Sequence, residues 1–356
     1  MAGQIWSLAD EGGYMWAPNL SEYLRMQNLP VVKFRQLCDV KEYDADGKPL
    51  IGKGRGDHWY WNVYTKVANK GRVIDETERM PETGFKIYQN SGTINEYGNA
   101  IPYSGKLDDL SEQPIREIIN KTLKIDVAET FDIAAWTQFN TTPLKVSPAS
   151  GTSATAIDTM AVNGIPSQTN NVAFGHGHVE PISTAMKERN IPAYENGDYI
   201  AIGRPTTFMQ LKSDLESIQQ YTETGLAQIK NGEIGRYRGV RFLEQTHVPV
   251  GGAVSNWSNG VGTLSASGAA FNPQTGIGAP WTNGKSDWIF FMGADTVAEG
   301  IAIPEEIRGK IPDDYGRGRG IAWYALEGFG ISHPYSENVV NGNPLDCRIV
   351  KWDSLN

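Results

Sequence analysis

Cysteine is nearly absent from this chain: 356 residues carry two, Cys38 and Cys347, near opposite ends and outside any CxxC pattern. That excludes a disulfide-stapled scaffold and a cysteine-rich zinc module. Two free thiols in a reducing cytosol are expected, with a cross-link between chain ends as the alternative. Histidine is scarce too, with five residues, of which only His176 and His178 lie close together. Long apolar runs are missing; nothing approaches the ~18 uninterrupted apolar residues of a membrane-spanning helix. The opening, MAGQIWSLADEGGYMW, places Asp10 and Glu11 where an export signal needs an apolar run, so synthesis in the cytosol is expected. Positive charge is in deficit. Lys and Arg number 32 against 41 Asp and Glu, a net charge of −9, which removes the basic face that a dedicated nucleic-acid grip requires. An acidic balance by itself means solubility.

Catalytic signatures are missing as well: there is no GxSxG elbow, P-loop or HExxH. His176-Gly177-His178 admits two readings. On a strand the two imidazoles would share a face and could grip a metal, with only Glu180 nearby to help. That reading makes the chain a metal-dependent enzyme using His176 and His178. In a solvated loop they do nothing, and the chain then has no catalytic, cofactor or metal residue. His58, His247 and His333 are isolated and read as structural. Glu42, Asp44, Asp46 and Gly47 imitate a calcium loop, but its twelfth position is Lys53, where a bidentate Glu is required, so a turn is expected. GKGRG at 52–56 and GRGRG at 316–320 offer Arg55, Arg317 and Arg319 to phosphates, or are simply flexible turns.

What the chain does have is glycine (39 residues), aromatics (10 Trp, 15 Tyr) and enough apolar content, 40%, to fill a core at a mean hydropathy of −0.40. Residues 231–246 (NGEIGRYRGVRFLEQT) alternate apolar Ile234, Val240 and Phe242 with Arg236, Arg238 and Arg241 between glycines, which predicts a β-hairpin. In HWYWNVYTKV at 58–67, Trp59, Trp61, Val63, Thr65 and Val67 share one face of a strand. A second extended run at 93–103, after a charged crossover, would pair with it to make a protruding β-arm. From 109 to 139 the period becomes helical: Ile115, Ile119, Leu123, Val127, Phe131 and Ala135 recur at i+4, with Pro114 in the first turn, Asp109 or Ser111 as cap, and Pro143 beyond the end. At ~1.5 Å per residue a helix of ~25 residues here is a beam close to 40 Å long. Pro181 and Pro205 open short helices reaching 189 and about 215, and YIAI at 199–202 is a buried strand. Residues 251–287 are rich in Gly, Ser and Asn and too irregular for a core, after which strands return at 288–292, 321–326 and 348–352. The class is α+β with long excursions.

INEYGNAIPYSGKLDDLSE at 94–112, GDYIAIGRPTTFMQLKSDLE at 197–216, NGEIGRYRGVRF at 231–242, WIFFMGADTVAEGI at 288–301, DYGRGRGIAWYALEGFGI at 314–331 and RIVKWDS at 348–354 resemble, in order and spacing, segments of tailed-phage major capsid proteins of the N-four-type podoviruses. The resemblance implies the Hong Kong 97-like coat fold: an N-terminal arm (1–50), an extended β-loop (51–106), a peripheral domain (107–189) with a spine helix at about 111–139, an axial domain (190–335) carrying the insertion at 251–287, and a C-terminal return to the peripheral domain (336–356). It implies a major capsid protein, located in the virion after assembly in the bacterial cytoplasm. Its first partner would be itself, in hexamers and pentamers, with scaffold, portal and decoration proteins as further partners; it would enclose double-stranded DNA without sequence-specific binding, and use no membrane. An encapsulin-like nanocompartment shell is the alternative within the same architecture. The extended loop has little core of its own, so Trp59, Trp61, Val63 and Val67 are expected at an intersubunit contact.

Overall fold

The computed structural model describes residues 32–40, 56–64, 67, 70–111, 113–160, 172–194, 197–205, 207–219, 235–246, 248, 254–258, 261–264, 270–271, 286–311, 314–333, 339–340, 343–344 and 347–355. In chain order, a 3-10 turn at Arg35–Leu37 leads to β1 (Asp39–Val40), β2 (His58–Tyr64), β3 (Ile87–Thr93), β4 (Asn95–Ser104), α1 (Gly105–Leu110) and α2 (Ile115–Asn140). Next come β5 (Lys145–Pro148), β6 (Ile157–Met160), α3 (His176–Glu188), β7 (Tyr199–Gly203) and α4 (Met209–Gln219). The remaining strands are β8 (Arg236–Tyr237), β9 (Val240–Glu244), β10 (Val254–Ser258), β11 (Val261–Leu264), β12 (Ala270–Phe271), β13 (Ser286–Met292), β14 (Val297–Gly309), β15 (Gly318–Ile331), β16 (Val339–Val340), β17 (Asn343–Pro344) and β18 (Ile349–Leu355).

The 26-residue α2 forms where the apolar spacing predicts it, and Pro143 disfavours the helical conformation at the residue before it. Its cap differs from expectation. Pro114 itself holds the cap position, while Asp109 lies in the separate short helix α1, capped by Ser104, whose Oγ accepts from the Leu107 N–H. In its first half, Ile115, Ile119 and Leu123 are buried along one stripe and Thr122 and Lys124 stay outside. From Phe131 to Phe139 burial spreads around the helix, because this end sits where two sheets meet.

One sheet has four strands, β1-β14-β15-β4, and packs beneath the front of α2 through Tyr103, Trp323, Ala325 and Phe329. The other has seven, β6-β5-β18-β13-β7-β9-β8, and is buried on both faces. That explains the unbroken apolar runs YIAI and WIFFM. Ile200, Ile202, Trp288, Phe290 and Met292 face α2, whereas Tyr199, Ala201, Ile289 and Phe291 face α3 and α4. The hairpin at 231–246 is present as β8–β9, with Val240 and Phe242 buried; Ile234 lies outside the described residues. Its two-residue turn, Arg238-Gly239, has positive φ at both positions (52° and 78°), the geometry that matches strand twist.

Several expectations are corrected. The run at 93–103 does not return along the β-arm: β2 pairs with β3, and β4 instead pairs along its whole length with β15. Helix α3 starts at His176, before Pro181, and α4 starts at Met209, after Pro205. Each of the two large sheets draws strands from well-separated parts of the chain. Strands β14 and β15, from the 190–335 block, belong with α2 and β4; β5, β6 and α3, from the 107–189 block, belong with the seven-stranded sheet. The C-terminal β18 pairs in parallel with β5 of the 107–189 block. It inserts between β5 and β13 in the seven-stranded sheet. These crossings are long-range pairings, which local pattern does not encode. Within 251–287, β10, β11 and β12 form a small antiparallel sheet of their own, so the stretch is not wholly irregular.

Candidate functional site

The β2–β3 ribbon is the candidate assembly element. Along β2 the side chains alternate: Trp59, Trp61 and Val63 turn inward, while Tyr60, Asn62 and Tyr64 face out. The register sets Trp59 opposite Gly92 and Trp61 opposite Asn90. Both indoles dock onto the same chain. Trp59 is only 3% exposed and packs with Ala298, Ile94 and Ala302, its ring 4.7 Å from that of Trp61. Trp61 Nε1 donates to the Ser332 carbonyl at 2.9 Å, and Asn90 Nδ2 donates to the same oxygen at 3.3 Å. Within the same chain β14 and the end of β15 bury Trp59 and partly cover Trp61, the two indoles expected at a contact with a second subunit.

Farther out along the ribbon the pattern inverts. Val63 is half-buried and Val67 exposed, and with Val67 stand Tyr64, Val73, Met80, Phe85 and Ile87, all exposed, Val73 at 95%. These side chains sit singly among charged residues, with no period that would have marked them in the sequence as one apolar surface. A second exposed apolar group lies on the connection between β14 and β15, at Ile311 (87%) and Tyr315. Isolated exposed hydrophobics are ordinary; most of these lie on or beside the connection between β2 and β3.

His176 and His178 bond different partners. They occupy the first turn of α3, and their rings diverge. His176 Nδ1 meets Asp214 Oδ2 at 2.9 Å. His178 is buried; its Nδ1 accepts from the Gly175 N–H at 3.2 Å, which leaves Nε2 to donate to the Ser153 carbonyl at 2.9 Å. Burial, the largest influence, lowers its pKa. With both nitrogens of His178 engaged, the pair is neither a metal grip nor a solvated loop. Among the described residues no group of three or more His, Cys, Asp or Glu could hold a metal ion. His333 bonds Asp295, as a structural histidine should.

The arginines are similarly occupied. Arg319 pairs with Asp108, which also takes Arg116 Nη2 at 2.8 Å, and Arg317 lies 3.4 Å from Asp314. Arg236 and Arg241 converge on buried Asp198 at 2.6 and 3.1 Å. Arg55, His247 and the 42–53 turn lie outside the described residues. Cys38 and Cys347 are free thiols, Cys347 buried beside Thr142 Oγ1 at 3.1 Å. No described helix is long and apolar enough to cross a membrane.

No protein-family model and no curated protein matches the sequence. Solved structures do. The capsid of the cyanophage P-SCSP1u aligns with a TM-score of 0.62 at 12% identity, over 96% of this chain and 94% of that one. The head of the Helicobacter pylori bacteriophage KHP40 aligns at 0.59 and 12%, over 95% and 97%. The capsid of a native GTA particle aligns at 0.51 and 12%, over 98% and 99%. The architecture is thus that of viral shell subunits. More particularly, it is the Hong Kong 97-like fold of tailed-phage major capsid proteins, in the α+β class that the sequence resemblance implies.

Proposed function

We propose that this chain is the major capsid protein of a tailed bacteriophage, building the icosahedral head shell around packaged double-stranded DNA. The observation that carries this reading is the correspondence with capsid subunits over nearly the full length of both chains. The exposed apolar end of the β2–β3 ribbon supports it, since a neighbouring copy would cover that surface. At ~25 cal/mol per Å2, a few hundred Å2 per contact contributes several kcal/mol before entropic costs. Many such contacts per subunit turn weak pairing into a closed shell. On this reading Val63 and Val67 belong to the intersubunit contact, joined by Tyr64, Val73, Met80, Phe85 and Ile87. The chain works without catalysis or cofactor, forms hexamers and pentamers, meets scaffold, portal and decoration proteins during assembly in the bacterial cytoplasm, and resides in the virion. Its net charge of −9 suits a wall that does not hold the DNA it encloses.

The test is electron microscopy and size-exclusion chromatography of the full chain beside a variant lacking residues 65–86. Tyr64 and Ile87 are paired across the ribbon, so an Asn-Gly turn can join them. The full chain, expressed alone or with the other head genes of its phage, should form shells or capsomers; the shortened chain should fold and stay dispersed. A full chain that remains monomeric under both conditions, or a shortened chain that assembles normally, overturns the proposal. Shells filled with protein cargo would point instead to a nanocompartment.

A further inference from the structure

We infer that residues 33–40 form a proton-linked latch: Arg35 ties this segment to the four-stranded sheet through Glu299, Glu305 and Glu327, and the tie holds while Glu299 and Glu327 share a proton. The geometry is unusual for an ion-pair cluster. Arg35 Nε lies 2.9 Å from Glu299 Oε1, Nη2 lies 3.2 Å from Glu327 Oε2, and Nη1 pairs with Glu305. The guanidinium also stacks over Phe131, 4.5 Å from the ring centroid. Glu299 and Glu327 have side chains only 2% and 0% exposed, and their carboxyl groups meet each other. Glu327 Oε1 is buried with no other donor reaching it. Two adjacent buried carboxylates cannot both ionise cheaply against one guanidinium; a proton between them resolves the conflict.

The groups facing the cluster from the surrounding elements deepen its negative character. On α2, Asp132 is buried and accepts the backbone N–H groups of Lys33 and Arg35 at 2.9 and 3.2 Å, so the segment is held by main chain as well as by side chain. Within the segment stand Cys38 and Asp39. Burial, then Glu299 and Asp132, push the Cys38 thiol well above its usual range, which keeps it neutral. From β4, Tyr97 faces Glu327 and is raised chiefly by burial. Burial works against the charge of Arg35, yet the surrounding glutamates raise its pKa, so it stays cationic throughout.

Burial, the leading influence, lifts Glu299 above its ordinary value and Glu327 from 4.5 to about 8, against the attraction of Arg35. Release of the segment would uncover Glu299 and Glu327 and return each towards its ordinary value, so between 4.5 and about 8 the docked state holds a proton on this pair that the released state gives up. Docking is then strongest at low pH, weakens as pH rises towards about 8, and levels off beyond it. The device sets how firmly residues 33–40 are held on the four-stranded sheet.

The test is hydrogen exchange of the intact chain, read by mass spectrometry and corrected for the intrinsic pH dependence of exchange. From about pH 6 to about pH 8, protection of the 33–40 amides should fall by about tenfold or more, while that of α2 holds. Glu327→Gln, which keeps the neutral shape, should flatten the dependence. Wild-type protein should also show the infrared band of a protonated carboxylic acid at neutral pH, a readout independent of how the variant folds. Unchanging protection in wild-type protein, an equal fall in Glu327→Gln, or absence of that band would overturn the latch. None of these readouts requires a shell, so their failure leaves the proposed function standing.

Discussion

Trp61 donates its indole N–H to the carbonyl of Ser332, 271 positions away in sequence and 2.9 Å away in space. This bond fixes the root of the β2–β3 ribbon to the end of β15, and Trp59 completes the anchor by burial. Both indoles therefore belong to subunit stability. Trp61→Phe should cost about 1 kcal/mol, since Asn90 still reaches the Ser332 carbonyl, and Trp59→Ala about 3–5 kcal/mol through lost burial and a cavity. Denaturant unfolding at concentrations too low for assembly checks this. An unchanged midpoint would show that the indoles serve only contacts between copies.

The anchor exists because glycine leaves room for it. A β-carbon on Gly92 would lie 2.4 Å from Trp59 Nε1, and one on Gly330 would lie 2.8 Å from the outer ring of Trp61. Gly92→Ala must displace a rigid indole, with an expected loss of about 1–3 kcal/mol. Tryptophan fluorescence should shift to the red as the ring gains water. Normal stability and an unshifted spectrum would mean the ribbon docks differently.

The turn between β8 and β9 gives a contrast within two adjacent residues. Gly239 has φ of 78° with nothing nearer than 3.9 Å to an added β-carbon, so Gly239→Ala tests backbone strain free of crowding. It should cost about 1 kcal/mol. Arg238 has φ of 52°, and its exposed side chain meets the exposed Glu180 at 3.5 Å and lies over the Tyr237 ring, 5.9 Å from its centroid. Arg238→Gly should be neutral or stabilising by a few tenths of a kcal/mol, because a surface pair contributes little and the strain is relieved. Thermal unfolding of the two variants should move in opposite directions or nearly so.

What was legible in the sequence was local. The i+4 ladder of α2, the apolar runs of β7 and β13, and the Arg-Gly turn of β8–β9 each carry their own signal within a dozen residues. What was not legible was the choice of partner. β4 looks like the return strand of the ribbon because it follows β3 directly, yet it pairs with β15, over 200 positions away. Likewise β18 reads as a generic terminal strand until β13 and β5 flank it. The same limit applies to the indoles. Alternation marked Trp59 and Trp61 as one apolar face, but alternation cannot say whether the cover comes from the same chain or from a neighbour. The exposed tip residues Val73, Met80 and Phe85 follow no period at all.

His178 makes the subunit sensitive to acid. Its imidazole is buried and neutral, with Nδ1 accepting from Gly175 and Nε2 donating to Ser153. Protonation would place a hydrogen on Nδ1 facing a donor, and burial lowers the folded pKa below the ordinary 6.5. The unfolded chain then binds a proton that the folded chain refuses, so stability falls as pH drops through and below 6.5. His178→Gln, which can still reach the Ser153 carbonyl, should start less stable at neutral pH and lose less on going from about pH 7.5 to about pH 5. His176→Ala, which removes the contact with Asp214 Oδ2 at 2.9 Å, is the second variant. Titration with zinc separates this structural role from the metal reading. Neither wild-type protein nor either variant should bind it stoichiometrically, and a one-to-one complex lost in both variants would restore the histidine pair as a ligand set.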